Sequence, residues 1–174
     1  MILRPFRRPG RDHTIRALYG MIVAQARSPA FYRGYGVPDT VSARIDMIML
    51  HLVLVLRRLR ASGDDRAVGQ ELFDLFCQDM DDNFREMGVG DLKVPKEMRR
   101  IAEAFYGRAQ TYDTALDRLD EVALAAALER NVFGAPDPLG TRRLAAYMSD
   151  AARHLGGQEK TMLAFPDPEA VTPS

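Results

Sequence analysis

Between Met47 and Leu56 every residue is apolar except His51. A helix that is apolar on every face must be surrounded by other elements or by lipid. Length excludes lipid. A span needs roughly 20 apolar residues, and this run is much shorter, with Asp46 before it and Arg57-Arg58 after it. The stretch Val41 to Leu59 therefore predicts the central, buried helix of an all-α protein. Asp39 or Thr40 can cap its first free N–H groups. Arg57, Arg58 and Arg60 suit the negative end of its dipole, and Gly63 follows. In this setting His51 is expected to be a hydrogen-bonded interior histidine.

The flanking sequence supplies partners for that helix. Ile15, Leu18, Ile22 and Ala26 recur at helical spacing over Thr14 to Arg27, and Ser28-Pro29 stops the run. An aromatic connector with two glycines, Phe31 to Pro38, joins it to the central helix. Leu72, Phe76, Met80, Phe84 and Met87 form the apolar row of a helix ending at Gly88. Met98, Ile101, Phe105, Ala109 and Tyr112 form the inner row of the next, from Pro95 to about Leu116; Gly107 within it predicts a close helix crossing. A fifth helix is expected from Asp117 to Val132, with Leu119, Val122, Ala126 and Leu128 available to pack. A last one runs from Leu139 to Leu155. The expectation is a single compact bundle of about six helices with disordered termini. Residues 1–12 form a basic arm, 13–156 the helical domain and 157–174 a flexible C-terminal tail.

Composition removes several function classes. The 24 basic and 24 acidic residues cancel, so no overall field points to DNA. Twenty-one of the basic residues are arginine; only Lys93, Lys96 and Lys160 are lysine. The single cysteine, Cys77, excludes an internal disulfide and reads as a small core residue. No apolar segment of signal-peptide type opens the chain. Arg4, Arg7, Arg8 and Arg11 stand there without an acid. They fit an organelle presequence, an arm for anionic lipid or ribosomal RNA, or a frayed terminus.

Motifs for catalysis are absent. Neither phosphate-loop glycine pattern occurs, nor a Gly-x-Ser-x-Gly elbow. Asp79-Met-Asp81-Asp82-Asn83 invites a calcium reading, but Phe84 and Gly90 stand where the loop needs glycine and glutamate. The segment reads as a solvated helical face. No cofactor and no metal are expected. Arg85-Glu86-Met87-Gly-Val-Gly-Asp91 carries more polar chemistry than a connector needs, and has two readings: Asp91 or Glu86 pairs with an arginine and pins the turn, or the stretch is the polar rim of an apolar groove that grips a partner helix.

Several segments together resemble the ubiquinol–cytochrome c chaperone family, assembly factors of the respiratory cytochrome bc1 complex. They are Tyr19 with Ile22 to Arg27, Pro29 to Tyr32, Gly36 to Thr40, Arg44 to Met47 and Leu50-His51. They continue with Asp79 to Asp81, Arg85 to Asp91, Val94 to Lys96, Phe105 to Arg108 and Tyr112. The resemblance covers roughly residues 19 to 132; Ala43 departs from it where glycine is expected. It implies an all-α protein without catalytic residues that binds newly made cytochrome b. Mitochondrial members work with a small partner protein near the ribosomal tunnel exit. With little sequence ahead of Tyr19, the expectation is a bacterial, cytoplasmic protein at the inner face of the cytoplasmic membrane, or the mitochondrial matrix side in a eukaryote. The ribosome or the membrane surface is a further candidate partner of the arm, and a small partner protein another. The candidate partner-binding residues are Phe31, Tyr32, Val37, Pro38, Asp39 and Arg44, then Arg85, Glu86, Met87 and Asp91, then Phe105, Tyr106 and Arg108. The competing expectation is a carrier or enzyme for an apolar, quinone-like ligand enclosed near His51.

Overall fold

The computed structural model describes residues 9–63, 66–159 and 162–170, with side chains from residue 13. Among the described residues every regular element is helical. The helices are α1 (Pro9–Ala26), α2 (Pro29–Arg33), α3 (Val41–Ala61), α4 (Arg66–Glu86), α5 (Val94–Asp117), α6 (Glu121–Leu128) and α7 (Pro138–Gly156). A π-helical turn, Glu129–Phe133, follows α6. Residues 1–8 of the expected basic arm lie outside the described residues, and α1 takes in 9–12.

The central helix is where the sequence places it. Asp46 to Val55 are buried without a break, and α3 packs against α1, α4, α5, α7 and the π-helical turn. Of the two candidate caps, Thr40 does the work: its Oγ accepts from the Ala43 N–H at 3.1 Å. Among the described residues, no helix is long and apolar enough to cross a membrane. The rows predicted for α4, α5 and α7 face inward, with Leu72, Phe76, Met80, Phe105, Tyr112, Leu144, Tyr147 and Leu155 buried. Gly88 closes α4 at φ 82°. Its N–H donates to Arg85 O and that of Val89 to Phe84 O, which satisfies the last carbonyls.

Three expectations are corrected. First, the fifth helix is shorter and turned on its axis. Helix α5 closes at Leu119, which adopts φ 53°, and Asp120 caps α6 by accepting from Ala123 N at 2.9 Å. Leu119 and Val122 are exposed, while Leu124, Ala127 and Leu128 are the residues that pack. Second, Gly107 faces open space. The close approach is at Gly140 in α7, where an added Cβ would sit 2.4 Å from Tyr35 O and 2.9 Å from the Phe133 ring. Third, the C-terminal tail packs back over 162–170. Leu163 is buried, Phe165 meets the His51 ring at 4.9 Å, and Tyr35 OH donates to Pro168 O at 2.6 Å. The carbonyls of Pro166 and Pro168 in this strap accept from the side chains of Gln25 in α1 and Tyr35 in the connector.

Candidate functional site

An open cleft of about 180 Å³ lies between α3 and α4, bordered by Arg27 just after α1. Ile45, Ile48, Met80 and Phe84 line its floor, with Asn83 beside them. Val41 and Met87 stand at its mouth, 57% and 51% exposed. Arg27 and Arg44 supply the cationic edge. Cavities that enclose a small ligand hold about 300 Å³ or more. This cleft is smaller and open, suited to apolar side chains projecting from another polypeptide. Unbranched methionines let such a surface adapt to its occupant.

The expected partner-binding residues divide among several places. Arg44 and Met87 line the cleft. Tyr32 and Asp39 adjoin it through Arg44, whose guanidinium lies over the Tyr32 ring at 5.5 Å and whose Nε donates to Asp39 at 2.7 Å. Pro38 is half-buried in the same connector. Phe31, Val37 and Phe105 are core residues with at most 3% of their surface exposed. They shape the bundle and present no side chain to a partner. Arg85 bridges Asp81 and Asp91 across the α4–α5 turn, with Glu86 exposed next to it. Tyr106 is exposed on α5 and leans on Phe73 at 5.4 Å. Arg108 turns inward to Asp46 at 2.8 Å.

The cleft residues that sequence reasoning did not single out are Arg27, Val41, Ile45, Ile48, Met80, Asn83 and Phe84. The signal available was that the apolar rows of α3 and α4 continue to exposed ends at Val41 and Met87. Asp79 and its neighbours lie within α4, as a helical face. Asp79 accepts from Tyr19 OH at 2.7 Å and from Asn83 at 3.1 Å, which ties α1 to α4. Cys77 is half-buried against the core, and burial pushes its thiol up.

His51 is fully buried with both ring nitrogens engaged. Met47 O can only accept, so Nδ1 at 2.7 Å carries the proton. Nε2 is therefore bare and accepts from Tyr147 OH at 3.0 Å. The Tyr147 oxygen accepts from Gln25 Nε2 at 2.9 Å, and the second Gln25 N–H goes to Pro166 O at 3.0 Å. Desolvation holds His51 neutral, with its pKa lowered to about 4. Neither nitrogen is left for a ligand, and the rings of Phe31, Tyr147 and Phe165 pack around the imidazole. This histidine joins α3, α1, α7 and the strap. Asp46 is a second interior group whose titration is perturbed. Burial raises its pKa to about 6, against the pull of Arg108.

A family described as "Ubiquinol-cytochrome C chaperone" matches residues 33–169. The crystal structure of the Cbp3 homolog from Brucella abortus is similar to this fold with a TM-score of 0.84. It is 35% identical to this chain, and the match covers 93% of each chain. Among the curated proteins nothing matches.

Proposed function

The chain belongs to the ubiquinol–cytochrome c chaperone family, and on that footing we propose that it is a non-enzymatic assembly factor that holds newly made cytochrome b while the bc1 complex is built. A polytopic client exposes apolar helices before its cofactors and partner subunits are in place. A holding factor needs an open apolar surface, side chains that adapt, and charge at the edge to orient what docks. The observation that carries the reading is the α3–α4 cleft, with an apolar floor, methionines at two depths and Arg27 and Arg44 at its margin. The perturbed interior groups support a non-catalytic reading, because His51 and Asp46 are spent on structural partners. The proposed site of action is the inner face of the membrane into which cytochrome b inserts.

The test is capture of cytochrome b by Arg44→Glu and Met87→Glu. Both side chains are substantially exposed and the Asp39–Arg44 pair is at the surface. Such pairs contribute about 0–1 kcal/mol, so helical melting should be nearly unchanged. Capture should fall at least tenfold in each variant. Full capture by both would remove the cleft from the client site, and a deletion strain that builds its bc1 complex normally would end the reading altogether.

A further inference from the structure

The most exposed large apolar side chain among the described residues is Leu92, at 97%, on the turn between α4 and α5. The turn is held firmly on its inner side. The Schellman closure at Gly88 fixes its entry, Lys93 N donates to Gly90 O at 2.7 Å, and Val94 is buried to 1%. Leu92 is therefore presented outward by a fixed turn.

The charges around it are sorted by sign. The acid on the turn, Asp91, is paired with Arg85, which also holds Asp81 at 2.6 Å. Glu97 is paired with Arg100 at 3.2 Å. Among the described residues no carboxylate pairs with Lys93, Lys96 or Arg99, and all three side chains are exposed. Two of the chain's three lysines stand here. They lie at the positive end of the α5 dipole, so they do not serve to stabilise that helix.

We propose that this turn is a contact with an anionic lipid bilayer, with Leu92 entering the headgroup–acyl boundary while Lys93, Lys96 and Arg99 meet lipid phosphates. An exposed leucine flanked by unpaired cations is complementary to such a surface, where each lysine is worth about 1 kcal/mol, about fivefold in binding. The contact places the mouth of the cleft, marked by Met87 at the start of the same turn, beside the membrane. The inference rests on the proposed position at the membrane and not on client capture.

The chain contains no tryptophan, so Leu92→Trp in the full chain is a local reporter. Its emission should shift to the blue with phosphatidylglycerol-containing vesicles and stay unchanged with pure phosphatidylcholine vesicles. Adding Lys93→Gln and Lys96→Gln should weaken the anionic-vesicle response about 25-fold, with the helical circular dichroism signal retained. Binding without an emission shift, or an equal shift on neutral vesicles, would overturn the proposal. The vesicles carry no cytochrome b, so this result stands or falls separately from the chaperone reading.

Discussion

Tyr147 donates its hydroxyl hydrogen to Nε2 of His51 at 3.0 Å, and this bond sets the direction of its neighbours. It fixes the imidazole tautomer, leaves the Tyr147 oxygen to accept from Gln25, and sends the second Gln25 N–H to the strap at Pro166. Four parts of the chain meet in one polar chain within an apolar interior. Tyr147→Phe would leave His51 Nε2 and one Gln25 N–H without a partner. A buried unsatisfied group costs about 1–3 kcal/mol. Chemical denaturation should show a loss in that range, with the slope against denaturant unchanged. An equally stable variant would show that water already serves these groups.

His51 and Asp46 act against each other on acidification. The His51 pKa is lowered to about 4, so the unfolded chain takes up its proton first. Stability from the neutral ring is present above about 6.5 and lost as pH falls toward 4. The Asp46 pKa is raised to about 6. Its protonated form favours the folded state, so that contribution is present below about 3.8 and lost as pH rises through 6. Each shift is worth on the order of 3 kcal/mol, and between pH 4 and 6 the two nearly cancel. Asp46→Asn should expose the His51 term, so that stability falls more steeply than in the parent from pH 6.5 to 4. His51→Gln should expose the Asp46 term, and stability should rise relative to the parent from pH 6 to 4. Denaturation midpoints across that range check both slopes, whatever the offset at neutral pH.

The strap makes a third test. Phe165 covers one edge of the His51 ring, and Leu163 is buried beside it. Phe165→Ala removes a partly buried ring and should cost about 2 kcal/mol. It should also admit water to the imidazole, so that the His51 resonance titrates well above pH 4 by NMR. A variant with the parental titration would show that the strap leaves His51 solvation unchanged.

Much of the bundle was legible because the physics is local. The all-round apolar run of α3 leaves no alternative to burial, and Thr40 and Gly88 mark helix ends by their own chemistry. The strap was not legible. Leu163 and Phe165 belong to a four-residue apolar run before Pro166, too short to show a period, and the strap's partners Gln25, Tyr35 and His51 are more than a hundred residues away in sequence. The cleft was only half legible. Arg44 and Met87 could be picked out, but Ile48 and Met80 come together only when α3 and α4 pack side by side. Phe31 and Phe105 stand among the candidate partner-binding residues because they lie in segments that carry the family resemblance, although Phe105 also belongs to a predicted inner row. The bundle consumes them in its core, where Phe31 packs on Tyr147 and Phe105 on Phe73.

Leu119 is the place where the sequence departs most clearly from what its backbone requires. It closes α5 in the left-handed region at φ 53°. Its N–H donates to Leu116 O and that of Asp120 to Ala115 O, the arrangement that elsewhere in this chain uses Gly88. A leucine there suffers a clash between Cβ and the following carbonyl worth about 1–2 kcal/mol. Its side chain is 86% exposed, so little burial offsets that strain. Leu119→Gly removes the strain and adds conformational freedom to the unfolded chain, a smaller opposing effect. The expected result is a gain of about 0.5–1 kcal/mol, seen as a higher midpoint in thermal and chemical denaturation with the helical signal unchanged. A loss of stability would mean that the leucine side chain makes a contact in solution that outweighs its backbone cost.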